Sequence, residues 1–553
     1  MLNLYRDYLQ ETVDPNGQII DYDLTVPETF NFAYDVIDRI AAIEPDRRAM
    51  HWCNEAGEQK VFTFGDFKRE SDRCASFFLS VGIRKGDRVM LILKRHYQFW
   101  FAILALHKIG AVAIPATNQL LPKDIIYRME AADINAVVCT PDGDVSQNIE
   151  QAERESGQTL IKIMVRENRD GWAHFDRGLA EAKPFRKPAG DQIPQKDDMM
   201  LLYFTSGTTG LPKMVTHDFT YPIGHLPTAR YWHRVDPDGL HLTVSETGWA
   251  KSVWGKLYGQ WLMEAGIYVY DYDRFDPHTL LKRIQDDCVT TFCAPPTIYR
   301  FLIREDLKKY DLSKLQHCTI AGEALNPEVY ERFLAATGLE LKEGYGQTEM
   351  TLAVVTNYWM ATKPGSMGKP SAMYDIRLLD ENSEPVQPGQ SGEICVVTGD
   401  RRIPGMFCGY HKDSELTQQV WHDGIYHTGD LAWQDEDGYL WFVGRSDDII
   451  KSSGYRIGPF EVESVLMEHQ AVLECAITGE PDPIRGQLVK ATVVLGKGWS
   501  PTEALKKELQ DYVKTHTAPY KYPRVIDFVA ELPKTISGKI RRVDIRAGKQ
   551  QQS

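Results

Sequence analysis

The sequence predicts an α/β protein with a large N-terminal part on parallel sheets and a smaller α+β C-terminal part. Three observations predict it. Short buried-strand patterns alternate with amphipathic helix patterns through residues 67–139, and repeated βα units stack helices on both faces of a parallel sheet. Beyond residue 370 the texture becomes β-rich and turn-rich. After Gly444-Arg445-Ser446-Asp447-Asp448 an α+β pattern resumes, and this last segment is slightly basic where the rest is strongly acidic.

In chain order, residues 67–81 read as an amphipathic helix and 87–93 as a short buried strand. Residues 100–108 are helical and 111–114 a strand, followed by a helix at 124–131 and a strand at 136–139. The apolar stretch 99–116 is broken by His107, Lys108, Gly110 and Pro115. It falls short of the ~20 apolar residues a membrane span needs, so it reads as a buried helix and strand. Residues 199–204 form another buried strand, and 376–398 alternate as short strands around a Pro/Gly turn, a small β subdomain. The C-terminal part carries helices at 459–469 and 501–515 and strands near 472–479 and 489–495. Two domains are expected, 1–446 and 447–553.

The chain has 553 residues, 43% of them hydrophobic and 25% charged, the balance of a globular protein. A net charge of −14 lacks the basic footprint of nucleic-acid binding. Nine scattered cysteines form no CxxC pair, which excludes a zinc ribbon or thioredoxin-type site and suits a reducing compartment. The first residues show no apolar signal region, so the expectation is a cytoplasmic protein without nucleic-acid or membrane partners.

The chemistry concentrates in Thr205-Ser206-Gly207-Thr208-Thr209-Gly210-Leu211-Pro212-Lys213. Dense hydroxyls and two glycines after a buried strand bring backbone N–H groups and hydroxyls close to phosphate oxygens, and Lys213 adds charge. The order is not that of a Walker A loop, GxxxxGK[ST]. Gly344-Tyr345-Gly346-Gln347-Thr348-Glu349 is not a dinucleotide fingerprint, since Glu349 stands where the third glycine belongs. Neither GxSxG nor HExxH occurs.

With these motifs, and with Phe64-Gly65-Asp66-Phe67, Ala321-Gly322-Glu323-Ala324-Leu325, Tyr426-His427-Thr428-Gly429-Asp430, Gly454-Tyr455-Arg456-Ile457 and Pro533-Lys534-Thr535-Ile536-Ser537-Gly538-Lys539 in order, the chain resembles the adenylate-forming superfamily. It is most similar to medium-chain acyl-CoA synthetases, over roughly residues 40–545. The resemblance implies two parallel-type sheets with a small β subdomain, and a mobile C-terminal domain. It implies two half-reactions, from a small carboxylic acid and ATP to acyl-AMP and pyrophosphate, then transfer to coenzyme A. The alternatives are an aryl (benzoate-like) CoA ligase and an adenylation enzyme loading a carrier-protein thiol; the oligomeric state stays open.

Residue by residue, the resemblance gives the β- and γ-phosphates to Thr205, Ser206, Gly207, Thr208, Thr209, Gly210 and Lys213, and the α-phosphate to Thr348. Glu349 is to hold Mg²⁺. Gly322, Glu323 and Ala324 are to line the adenine, with Tyr345 stacked on it and Gly346 and Gln347 alongside. Asp430 is to accept both ribose hydroxyls, which its two oxygens suit; Arg445 approaches the ribose and Arg456 the phosphates. Lys539 is to bridge carboxylate and α-phosphate in the first step, and Asp447 is to be the hinge. Ser453, Gly454 and Lys514 match coenzyme A contacts. Trp249, Lys251, Trp254, Cys293 and Gly346 match the acyl pocket. Gly346 stands where acetate-specific relatives carry Trp, so a short- to medium-chain, possibly branched, acid is expected.

Overall fold

The computed structural model describes residues 2–17, 19–205, 211–323, 325–534 and 540–548. Its first large sheet has seven strands. From one edge they run Lys213–Asp218, Met199–Thr205, Val112–Pro115, Arg88–Ile92, Ile134–Cys139, Ile161–Met164 and Ala173–His174. All pairings are parallel except the edge hairpin of Met199–Thr205 with Lys213–Asp218. The second sheet has nine strands. Its six central ones, Leu341–Gln347, His317–Ile320, Thr291–Ala294, Leu240–Thr243, Gly266–Asp271 and Arg48–Asn54, are parallel. Antiparallel strands close both edges.

The helix Phe64–Ser80 starts where Thr63 Oγ1 accepts the Asp66 N–H at 3.1 Å and Asp66 accepts the Thr63 N–H at 2.9 Å, a reciprocal cap that satisfies two orphan donors. The helix Gln98–Ile109 is buried along its whole length and ends at Gly110, φ 73°, where glycine avoids the left-handed penalty. It lies in one continuous apolar core with Val89 and Leu91 of the first sheet and Ile267 and Val269 of the second. An element enclosed on all sides reads as unbroken apolar sequence, which explains the 99–116 stretch. Among the described residues no helix is long and apolar enough to cross a membrane.

A five-stranded antiparallel sheet follows, built on Asp375–Leu379, Ser391–Val397, Ile425–Gln434, Trp421–His422 and Leu440–Arg445. Beyond it, Ile450–Ser452, Tyr455–Ile457, Val472–Asp482, Gly486–Leu495 and Val525–Val529 form a last sheet. With the helices Pro459–Glu468 and Glu503–His516 it has its own core, in which Ile457, Leu466, Leu509 and Val513 are buried. A hairpin of Leu9–Val13 with Ile19–Leu24 was not expected. It is docked by Glu11, which accepts hydrogen bonds from Arg230 at 2.6 and 3.0 Å and from the Tyr231 hydroxyl at 2.6 Å, contacts that no local pattern announces.

Candidate functional site

The edge hairpin of the first sheet sets Thr205 opposite Lys213 in register. Both ends of the hydroxyl-rich turn are therefore fixed at one sheet edge, while Ser206, Gly207, Thr208, Thr209 and Gly210 lie outside the described residues. The Lys213 ammonium lies 5.2 Å from the centre of the Tyr410 ring. The Tyr410 hydroxyl donates to Glu349 Oε1 at 2.9 Å, and burial raises its pKa strongly, so it stays a donor. Lys213, Tyr410 and Glu349 thus form one cation–aromatic–carboxylate contact, and Tyr410 carried no signal in the sequence. His217, four residues beyond Lys213, donates from Nε2 to the Thr348 carbonyl at 2.7 Å. Burial holds its pKa down at about 4, so the ring acts as a neutral strut under the Thr348-Glu349 turn.

The strand Leu341–Gln347 leads into that turn and meets Asp430 from the other side. The Tyr345 hydroxyl and Gln347 Nε2 each donate to Asp430 Oδ2 at 2.6 Å. Gln347 also donates to the Thr428 carbonyl at 2.9 Å and accepts from the Tyr426 hydroxyl at 2.8 Å. Asp430 is 6% exposed and pairs in register with Arg445, whose Nη1 is 3.9 Å from Oδ1. Burial pushes the Tyr345 hydroxyl well up, so it stays a donor to this carboxylate. The ring expected to stack on adenine therefore also holds the Asp430 carboxylate.

The loop after His317–Ile320 carries Gly322 at φ 109°, and Ala324 is outside the described residues. Glu323 Oε2 accepts from Thr297 at 3.3 Å and lies 3.8 Å from Arg300. Beneath this loop sits Glu343, fully buried, which accepts the Leu325 N–H at 3.3 Å; desolvation pushes its pKa up to about 8.

Trp254 and Cys293 gather with Trp232, Ala321, Val355 and Leu352 in one apolar cluster. The Trp254 ring is 6.1 Å from Trp232 and stacked 5.9 Å from His233. Lys251 donates to the Ala321 carbonyl at 2.9 Å, which ties this cluster to the Gly322 loop. A Cβ on Gly346 would come within 2.8 Å of the Thr351 carbonyl and 3.3 Å of Leu352 Cα, so a larger residue there displaces backbone. Trp249 occupies the N-cap position of the helix Ala250–Gly255. Trp232 was missed because a lone Trp far from the motifs reads as core packing.

Asp447 Oδ1 accepts from Arg445 Nε at 3.2 Å. The next residue, Asp448, takes Arg546 at 2.8 Å and Arg542 at 3.5 Å. Within these four residues the chain passes from the Asp430 cluster to the C-terminal helix Arg542–Arg546. Arg456 is paired with Glu381 on the small β sheet's outer turn, away from Asp430 and Lys213. Ser453 and Gly454 turn the hairpin of Ile450–Ser452 and Tyr455–Ile457 at φ 52° and 84°. Lys514 bonds Asp511 at 3.0 Å and lies over the Tyr522 ring. Lys539 is outside the described residues.

The profile of the AMP-binding enzyme family matches residues 37–411, and that of the AMP-binding enzyme C-terminal domain matches residues 461–539. The mitochondrial acyl-coenzyme A synthetase ACSM3 of Mus musculus is 39% identical over 98% of this chain and 95% of its own length. The mitochondrial acyl-coenzyme A synthetase ACSM4 of Rattus norvegicus is 41% identical over 97% and 93%. The anthranilate CoA ligase AuaEII, solved with anthranoyl-AMP, superposes with a TM-score of 0.85 at 27% identity, covering 95% of this chain and 98% of its own. The relatives' mitochondrial location corrects the expectation of a cytoplasmic protein, which rested on scattered cysteines and the lack of a signal-like start, features a reducing organelle lumen shares. With both profiles matched in order and relatives aligned from end to end, the chain belongs to the AMP-binding enzyme family, among its acyl-CoA synthetases.

Proposed function

We propose that the protein activates a short- to medium-chain carboxylic acid with ATP and transfers the acyl group to coenzyme A, as a mitochondrial enzyme of fatty acid metabolism. In the first step a carboxylate oxygen bonds to the α-phosphorus and the bond to the bridging oxygen breaks, releasing pyrophosphate. In the second the thiol sulfur bonds to the acyl carbon, the mixed anhydride opens, and AMP leaves as the thiol proton passes to solvent.

One observation carries the nucleotide reading. The segment Tyr345–Glu349 touches Asp430 at one end and the Tyr410–Lys213 contact at the other. A nucleotide laid along it has its ribose at a buried carboxylate and its phosphates at a cation and the edge turn. Donors and cations fixed before reaction stabilise charge building at phosphorus without reorganisation. In this reading Thr348 meets the α-phosphate, with His217 fixing its backbone. Arg445 and Arg456 assist at ribose and phosphate, and Gly322, Glu323 and Ala324 border the adenine.

Glu349 suits a magnesium ion. It is a half-buried hard-oxygen donor whose Oε1 is held by Tyr410, and Mg²⁺ usually takes one or two carboxylates with phosphates and waters. When bound, the ion neutralises phosphate charge; Tyr410 aims the carboxylate. Lys539 aligns the two anionic reactants in the first step. Rotation about Asp447 then brings Ser453, Gly454 and Lys514 to the thiol substrate. Trp254, with Trp232 and Cys293, limits the depth of the acyl pocket, and Lys251 borders it.

The likeness to an anthranilate ligase supports an aryl acid as the second reading. A pyrophosphate-release screen over linear acids from acetate to octanoate, isobutyrate and benzoate, with and without coenzyme A, separates them. Turnover led by butyrate to octanoate, with thioester formed only when coenzyme A is present, is the expected result. Preference for benzoate moves the assignment to aryl acids, and no ATP–pyrophosphate exchange with any acid ends it.

A further inference from the structure

On the small antiparallel sheet, Glu393 and Cys395 occupy alternate positions of the strand Ser391–Val397 and share one face. Across the ladder Cys395 pairs in register with His427. His427 Nδ1 lies 3.0 Å from Glu393 Oε2 and 3.5 Å from Cys395 Sγ. The three donor atoms lie within 4.8 Å of one another. Along this strand His427 and Gly429 are half-buried while Thr428 and Asp430 are buried, and Asp430 is held by Tyr345 and Gln347. The cluster is therefore separate from the nucleotide site, although it shares a strand with it.

We infer that Glu393, Cys395 and His427 form a binding site for a zinc-like divalent ion. Thiolate, imidazole and carboxylate are the donor types zinc selects. Zinc–sulfur and zinc–nitrogen bonds of ~2.3 and ~2.0 Å at a tetrahedral angle hold their donors about 3.5 Å apart, the spacing found between Cys395 and His427. The imidazole nitrogen faces both partners at once, as donors sharing one ion do. Cys395 is fully buried, while the side chains of His427 and Glu393 are 18% and 25% exposed, so an ion enters from the solvent side and water completes the fourth position. His427 Nε2 is buried with no hydrogen-bond partner among the described residues, the His422 ring stacks 4.8 Å away, and Nδ1 faces Glu393 and Cys395. On binding, zinc displaces the proton of the thiol to solvent, and the neutral imidazole coordinates through Nδ1 in the tautomer that keeps its proton on Nε2.

The site has a lever on the nucleotide side. Glu393 Oε1 accepts the Gly429 N–H at 2.8 Å, and Gly429 precedes Asp430. An ion held on Glu393 Oε2 leaves that bond in place and stiffens the turn, or draws the carboxylate off and loosens it. Either way, metal occupancy registers at the proposed ribose contact.

The test uses the full-length protein and Co²⁺ as a spectroscopic stand-in for zinc. One equivalent should produce a thiolate-to-cobalt charge-transfer band, and Zn²⁺ should bleach it at the same stoichiometry. Zn²⁺ should also raise the melting temperature by mass action. Cys395→Ser should lose the band. Glu393→Gln and the more exposed His427→Ala, which spare the buried thiol, should weaken binding about tenfold or more and abolish the thermal shift. Cys408→Ser and Cys288→Ser, which remove the exposed thiols, should change nothing. The inference is overturned if no thiolate band forms, if binding disappears with Cys408→Ser or Cys288→Ser, or if His427→Ala and Glu393→Gln bind as the parent does.

Discussion

Asp430 and Glu343 are both buried acids, yet their surroundings differ. Asp430 takes two hydroxyl or amide donors within 2.6 Å and faces Arg445, whereas Glu343 has one backbone donor and an Oε2 without a partner among the described residues. Raised to about 8, Glu343 stays protonated in the folded protein while the unfolded chain ionises from its ordinary value upward. Below that ordinary value both states hold the proton and it adds no pH dependence. Between it and about 8 stability falls as pH rises, and above 8 the full penalty is present. Glu343→Gln keeps the neutral form at every pH. Its melting temperature relative to the parent should climb from pH 5 to pH 8 and then level, by no more than about 1.4 kcal/mol per pH unit. A difference that stays flat across that range places an ionised carboxylate at the site. Neither state was legible from sequence, since both acids adjoin motif glycines, Glu343 before Gly344 and Asp430 after Gly429, and only their partners differ.

Among elements, those with strong periodicity were legible and those fixed by distant partners were not. The expected helix at 67–81 is Phe64–Ser80, the strand at 136–139 is Ile134–Cys139, and the helix at 501–515 is Glu503–His516, each shifted by a few residues because caps, not hydrophobic period, set the ends. The antiparallel hairpin at residues 9–24 went unseen because its strands are short and charged and its docking residue, Glu11, meets Arg230 far along the chain. The same limit hid Tyr410, His217 and Trp232, whose roles come from contacts. Trp254 lies on the short helix Ala250–Gly255, which is held against the second sheet by its own ring stack on His233 and its packing beside Trp232. Trp254→Ala should open space beside Cys293 and move the preference towards longer acids. Each methylene that fills the space gains about 1 kcal/mol, or about fivefold in kcat/KM. An unchanged chain-length profile in a competition assay would put this ring outside the acyl path.

At the level of the whole molecule, the two large sheets share one core while the last sheet has its own, and the join between them is the short stretch from Arg445 to Asp448. A part with an independent core can turn as a unit because its packing does not depend on the neighbour. The proposed catalytic lysine lies beyond that join. Lys539→Ala should lower acyl-AMP formation by ~100-fold or more, as loss of a preorganised cation does, while thioester formation from synthetic acyl-AMP stays within about threefold of the parent. Equal losses in the two assays would assign Lys539 to folding or to both steps. The ordered motifs made the general design readable before any contact was known; the pairing of Arg456 with Glu381 was not, because it joins side chains far apart in the sequence.

That pairing gives Glu381 a rival's position. In the function proposed above, this guanidinium leaves an outer-turn acid for the nucleotide's phosphates, so its approach to ATP begins by giving up the first partner. The pair is solvent-exposed on both sides, so its hold is weak, at most about 1 kcal/mol, and dissolved salt loosens it further. On the proposed function, a guanidinium detained so lightly yields to the arrival of a triphosphate rather than resisting it.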